Sequence, residues 1–159
     1  MPTLSADTYL SMIPEAGLLL LAALLLAFAL IKSEKINQHL YWITAIGFAL
    51  AAGLTFFFAR PNDAPTLVWG EMIRFDLAGF IFTLVVLAGG ALTSVFASTD
   101  AIIARKPEFY LLLVLSSIGL ILMGVAGNLI MLYLAIETAT TPLYVLAGLK
   151  YRDEQSVES

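Results

Sequence analysis

The sequence has no cysteine and a single histidine, His39. It therefore cannot by itself ligate an iron–sulfur cluster or a bis-histidine haem, and any electrons moved by an assembly containing it travel elsewhere. Charge is scarce: 13% of residues are Asp, Glu, Lys or Arg, with 8 basic against 12 acidic. The formal net charge is −4 and there is no basic cluster, so the chain offers no footprint for nucleic acid. A cleaved signal peptide needs basic residues ahead of its apolar core, and "MPTLSADTYLSMIPEAG" has none. Its charges are the acids Asp7 and Glu15, so the first apolar stretch reads as a retained span.

What the chain has in abundance is apolar surface. At 60% hydrophobic residues and a mean hydropathy of +0.93, it lies outside the range of soluble globular chains. Five apolar stretches, 12–31, 40–59, 77–97, 109–126 and 129–149, approach or reach the ~20 residues needed to cross a hydrocarbon core. Backbone polar groups in lipid must be satisfied within the segment, so runs this long and without alternation are helices and not barrel strands. The expected fold is all-α: a polytopic membrane protein of five transmembrane helices forming a single membrane domain over residues 1–159. Tyr41, Trp42, Phe56, Phe57, Phe58 and Trp69 suit the aromatic belts at the two interfaces. In a five-span topology Lys32, Lys35, Arg105, Lys106, Lys150 and Arg152 fall on one side, and Arg60 and Arg74 on the other. By the positive-inside rule the N-terminus is outside and the C-terminus cytoplasmic.

The longest connection, "RPNDAPTLVWGEMIRFD", breaks helix at Pro61, Asn62, Asp63, Pro65 and Gly70, and is expected to lie along the outer surface. Between the fourth and fifth spans "AGN" (Ala126 to Asn128) turns the chain, which forces those helices into an antiparallel pair. Pro107 falls in the first turn of the fourth helix, where its missing N–H costs nothing.

Intramembrane charge is the sharpest functional signal, because an ionised side chain at the centre of a span costs roughly 2.5–3.5 kcal/mol on insertion scales. Glu137 is read as the one such residue in the five helices. Helical spacing puts Tyr133, Thr140, Thr141 and Tyr144 on its face, so a polar stripe of Tyr133, Glu137, Thr141 and Tyr144 runs down an otherwise lipid-like helix. Pro142 cannot donate to the carbonyl of Thr138, which leaves a free acceptor one turn from the acid. An irregular helix beside a carboxyl suits a hydrated or proton-conducting path. The plainer alternative is a protonated glutamate held between helices as a structural hydrogen bond. Burial alone favours the neutral acid, a nearby ammonium the carboxylate, and no Lys or Arg of this chain lies at comparable depth. A working carboxylate at 137 therefore requires a counter-ion from another polypeptide.

Other features weigh less. Gly89, Gly90, Ser94, Gly119, Gly124 and Gly127 are small residues suited to close helix approach. His39, at the cytoplasmic end of the second helix, reads as interfacial and solvated ahead of proton relay. Glu15, near the outer end of the first helix, reads as surface, while Arg74 and Asp76 either pair or anchor the loop.

The stretch "PEFYLLLVLSSIGLILMGVAGNLIMLYLAIETATTPLYVLAGLKYRDEQSVES" resembles the fourth and fifth helices of the subunit N family of respiratory complex I, the proton-translocating NADH-quinone oxidoreductase. The match rests on the E-F-Y opening, the mid-helix glycine, the tight turn, and Y-L-x-x-E followed by P-L-Y-V-L-A-G, basic residues and S-V-E. "IPEAGLLLLAALLL" and "FDLAGFIFTLVVLAGGALTSVFAS" resemble that family's first and third helices. The resemblance implies an antiporter-like subunit in a bacterial cytoplasmic membrane, about fourteen helices in full, with two inverted five-helix repeats. It implies that Glu137 couples electrostatically to a lysine on a later helix, and that NADH, FMN, iron–sulfur clusters and quinone are handled by other subunits. This sequence stops after S-V-E, ahead of the helices that carry the family's lysines, and the expectation is a subunit encoded in two pieces or a truncated product. The expected partners are other membrane-arm subunits and a separate chain supplying those helices and a lysine near Glu137. The family's E-x-x-S reads Glu137, Thr138, Ala139, Thr140, which keeps a hydroxyl. Two rival readings are a subunit of a multisubunit cation/proton antiporter or membrane-bound hydrogenase, and a five-helix scaffold without transport.

Overall fold

The computed structural model describes residues 9, 12–31, 37–61, 65–100 and 103–157, with side chains as far as 148. Most of residues 1–17 lie outside the described residues, as do Asn62 and Asp63 of the long connection and Lys32, Lys35 and the side chains of Lys150 and Arg152 used in the orientation count. Five helices are long and apolar enough to cross a membrane: α1 (Ile13–Ile31), α2 (Leu40–Phe58), α3 (Leu77–Ala97), α4 (Pro107–Gly124) and α5 (Leu129–Val157). The last one continues past residue 149, where the sequence reading ended it, although its apolar span closes at Gly148. Polar residues 150 to 157 are helical but leave the apolar window, so hydropathy sets the span and local propensity sets the helix end.

The helix α4 is the hub, packed against α1, α3 and α5, with a lesser contact to α2, while α2 also pairs with α1 and α3. Leu18, Leu21 and Leu25 of α1, Phe48 and Ala51 of α2, Leu87 of α3, and Tyr110, Val114, Ile118 and Ile121 of α4 form one buried cluster. Lipid is as apolar as leucine, so such contacts hold helices together by fit and not by escape from water. Small residues provide the fit: Gly47 receives the Leu21 side chain and Gly90 the Phe48 ring, but Gly89 meets nothing within 4 Å. The close-packing expectation for Gly89 is therefore corrected, because it lies one position round α3 from the packed face. Buried Thr44, Thr55, Ser94 and Ser117 each donate their hydroxyl to the carbonyl four residues back, at 2.8 Å, so these four polar hydrogens are satisfied within their own helices.

The connection after α2 is more ordered than a surface loop. Thr66–Val68 (β1) and Ile73–Phe75 (β2) form an antiparallel hairpin with Val68 opposite Ile73. Its turn holds Trp69, Gly70 and Glu71 at φ of 57°, 66° and 65°, left-handed backbone that two non-glycine residues adopt at a cost. The hairpin then clasps the connector between α4 and α5. Ile73 bridges Ala126, Arg74 N–H donates to the Val125 carbonyl at 2.7 Å, and Gly127 N–H donates to the Met72 carbonyl at 2.7 Å. A Cβ at Gly127 would stand 2.5 Å from the Glu71 carbonyl oxygen, so this approach needs glycine. Asn128 caps α5 by accepting the Met131 N–H at 2.8 Å.

Asp76 closes the hairpin side of α3. One carboxylate oxygen accepts the Gly79 N–H at 2.8 Å and the other meets Arg74 Nε at 2.8 Å, so the pairing reading holds and a cap is added to it. Replacing Asp76 with Ala should cost about 1 kcal/mol, mainly the cap, since a half-exposed ion pair contributes little. Asp76→Asn should retain most of it, and thermal unfolding of the two variants in detergent separates the contributions.

Candidate functional site

Helix α5 is peripheral. Its apolar stretch is 11% buried, against 44% for α4, and it packs chiefly on α4. The buried positions Ala135, Ala139 and Pro142 follow three- and four-residue spacing and form the inward stripe. Gly119 of α4 lies directly against the Ala139 N and Cα, so two backbones touch with no side chain between them. Glu137, two residues from each inward alanine, is thereby turned to the opposite, open side.

Glu137, Tyr133, Thr141 and Tyr144 are all exposed on that outer side, with Tyr133 at 65% and Tyr144 at 75%. The structure brings these four sequence-selected residues to one face. It separates Pro142 from them, burying it against the bundle. The helix runs through Pro142 without ending. Thr138 and Thr140 donate to the carbonyls of Leu134 and Ile136, at 2.8 and 2.9 Å, and leave the Glu137 carboxyl to itself. Eight residues into α5 at the helical rise, Glu137 lies about 12 Å from its start, near mid-span. A carboxyl at that depth on a lipid-facing surface carries the insertion penalty of roughly 2.5–3.5 kcal/mol, whereas one covered by a helix bearing a donor or a cation does not. The arrangement suits proton exchange or charge pairing across a helix interface. Among the described residues no cluster of His, Cys, Asp and Glu is arranged to hold a metal.

The other helix-borne acid departs from the sequence reading. Glu15 is buried, 2% exposed, and is not a surface residue, so Glu137 is not the one acid within the spans. The signal was present in the spacing: Glu15, Leu18, Ala22 and Leu25 share one face of α1, and that face is the packed one. Position along the helix suggests water, whereas direction around it points to the packed face. His39 stands at the start of α2, exposed and making no side-chain cap bond.

Five apolar spans around a packed core define an integral, polytopic α-helical membrane protein. No protein-family model matches the chain. The chain is 33% identical over 149 residues to NADH-quinone oxidoreductase subunit N of Desulfovibrio desulfuricans, covering 92% of this chain and 29% of that protein. Against subunit N of a Geobacillus species the identity is 32% over 129 residues, 79% of this chain and 26% of the relative. Against subunit N 2 of Thermodesulfovibrio yellowstonii it is 30% over 153 residues, 95% and 32%. The chain is thus a relative of NADH-quinone oxidoreductase subunit N, consistent with the N-terminal part of such a subunit. It spans about three tenths of the length of these relatives.

Proposed function

We propose that the chain is a membrane-arm component of a proton-translocating NADH-quinone oxidoreductase, in which it forms the N-terminal part of subunit N. In this reading the remaining helices of subunit N cover the outer face of α5 and bring a lysine to Glu137. The carboxylate then modulates the proton affinity of that lysine, so that protonation changes pass along the membrane arm. Tyr133, Thr141 and Tyr144 line the same contact, and the Thr138 carbonyl freed by Pro142 offers a nearby acceptor for a water or a proton donor. Redox chemistry takes place on other subunits holding NADH, FMN, iron–sulfur clusters and quinone. The observation that carries the reading is the polar stripe on the open side of α5 at mid-depth, a surface that lipid alone does not satisfy. The similarity to subunit N proteins along most of the chain supports it.

The test is isolation of the chain from native membranes in mild detergent. Recovery of an assembly that oxidises NADH and reduces quinone is the expected result. Recovery with cation/proton antiporter or hydrogenase subunits and no NADH oxidation would overturn the proposal in favour of those relatives. Recovery with no partner bearing intramembrane lysines would leave a scaffold without transport.

A further inference from the structure

Glu15 has no place in the pathway just described, and its surroundings are unusual. It sits in the first turn of α1, 2% exposed, and both carboxyl oxygens are without a hydrogen-bond partner. The helices packed on α1 are α2 and α4. Gly17 lies beside Ala51 and Gly47 beside Leu21, so α1 and α2 are antiparallel and Glu15 faces the C-terminal half of α2. The titratable residue of α2 is Tyr41, and those of α4 are Glu108 and Tyr110, all at the far end of the bundle, and α3 has none. No Lys, Arg or His lies within α1 to α4. At the near end Glu71 and Arg60 are exposed, and Arg74 is engaged by Asp76.

Among the described residues, no hydroxyl of the bundle interior is bonded to the Glu15 carboxyl. Thr55, in the last turn of α2 at the Glu15 end, already donates its proton to the Ala51 carbonyl, as Thr44, Ser94 and Ser117 do to theirs. A hydroxyl that has spent its hydrogen can accept from a carboxylic acid but cannot donate to a carboxylate. Thr83 and Ser116 are buried as well, but neither reaches the acid, for both Glu15 oxygens are without a partner. An unpaired, unsolvated carboxylate there would carry the penalty of a buried charge, which a proton removes.

Access is restricted as well. Met12, one turn before Glu15 on the same face of α1, packs against a separate apolar cluster of Val68 and Ile73 from the hairpin and Val125 from the end of α4. This cluster lies at the end of the bundle nearest the acid.

We infer that Glu15 is a proton-binding site enclosed in the bundle, held as the neutral acid and sealed from water by the Met12–Val68–Ile73–Val125 plug. It is separate from Glu137, which lies on the open face of the helix beyond α4. The hairpin accordingly serves as a stopper over a protonated carboxyl as well as a clasp.

Infrared spectra of the full chain in lipid vesicles at neutral pH, with and without 13C-glutamate, test this directly. Wild type should show a label-sensitive carbonyl band of a neutral acid that is lost in Glu15→Gln. On transfer to heavy water its exchange shift should be slow, and should quicken severalfold in Ile73→Ser, which puts a hydroxyl into the plug. Loss of a carboxylate band instead of the acid band in Glu15→Gln would overturn the proposal, as would exchange equally fast in wild type and Ile73→Ser. If Glu15→Gln does not fold, Glu15→Asp decides: a displaced acid band supports the inference, and a displaced carboxylate band overturns it.

Discussion

Replacing Glu137 with glutamine is expected to lower proton pumping severalfold at normal abundance of the assembled complex. The substitution keeps the size of the side chain and its capacity to hydrogen-bond, and removes its ability to carry charge. Glu137 makes no inward contact: the stripe that fastens α5 to α4 is Ala135, Ala139 and Pro142, on the other side of the helix. Stability of the five-helix unit should therefore be unchanged, so a fall in pumping is read as lost electrostatics and not lost folding. Glu137→Asp, which keeps the charge but withdraws it by one methylene, should fall between the two. Proton uptake by inverted vesicles during NADH oxidation, normalised to complex content, is the measurement. Wild-type pumping in the glutamine variant would end the proposed role for this carboxyl.

The second large effect is expected at Gly119. A Cβ there meets the Ala139 N and Cα and the carbonyl carbon of Thr138, all backbone, and backbone inside a regular helix has no rotamer by which to retreat. Gly119→Ala must push α5 away from α4, and overpacking of this kind costs typically about 1–3 kcal/mol. Since α5 has little other packing, the expected outcome is a lower thermal midpoint and reduced incorporation into the complex. Gly89→Ala is the matched control, because the added methyl meets nothing and alanine is the better helix former. Equal behaviour of the two variants would mean that the α4–α5 contact is not as close as the structure has it.

The five spans were legible because crossing a bilayer demands an uninterrupted apolar length, and length is a property of sequence alone. The polar face of α5 was legible for a related reason: residues 133, 137, 141 and 144 fall together on any helix, whatever it packs against. Whether that face looked inward was not legible, since it depends on Gly119 accepting Ala139 from another helix. Glu15 was misread for the same reason, its distance from the helix end suggesting water while α2 and α4 enclose it. The hairpin escaped because its strands are three residues each, too short for alternation to register, and its further partner, Ala126, is distant in sequence.

That distant pairing has a consequence for how the chain is assembled. The two strands of the hairpin leave the ribosome before α3, but Ala126 and Gly127, which complete the clasp, appear only after α3 and α4 have both been made. Val125 lies on the same side of the bilayer as Arg74 when α3 and α4 cross as a pair, one in each direction. A helix left uninserted would strand Ala126 on the opposite side of the membrane. The clasp thus ties the hairpin to the far end of a helical pair, and a chain with one of those two spans uninserted has no way to close it.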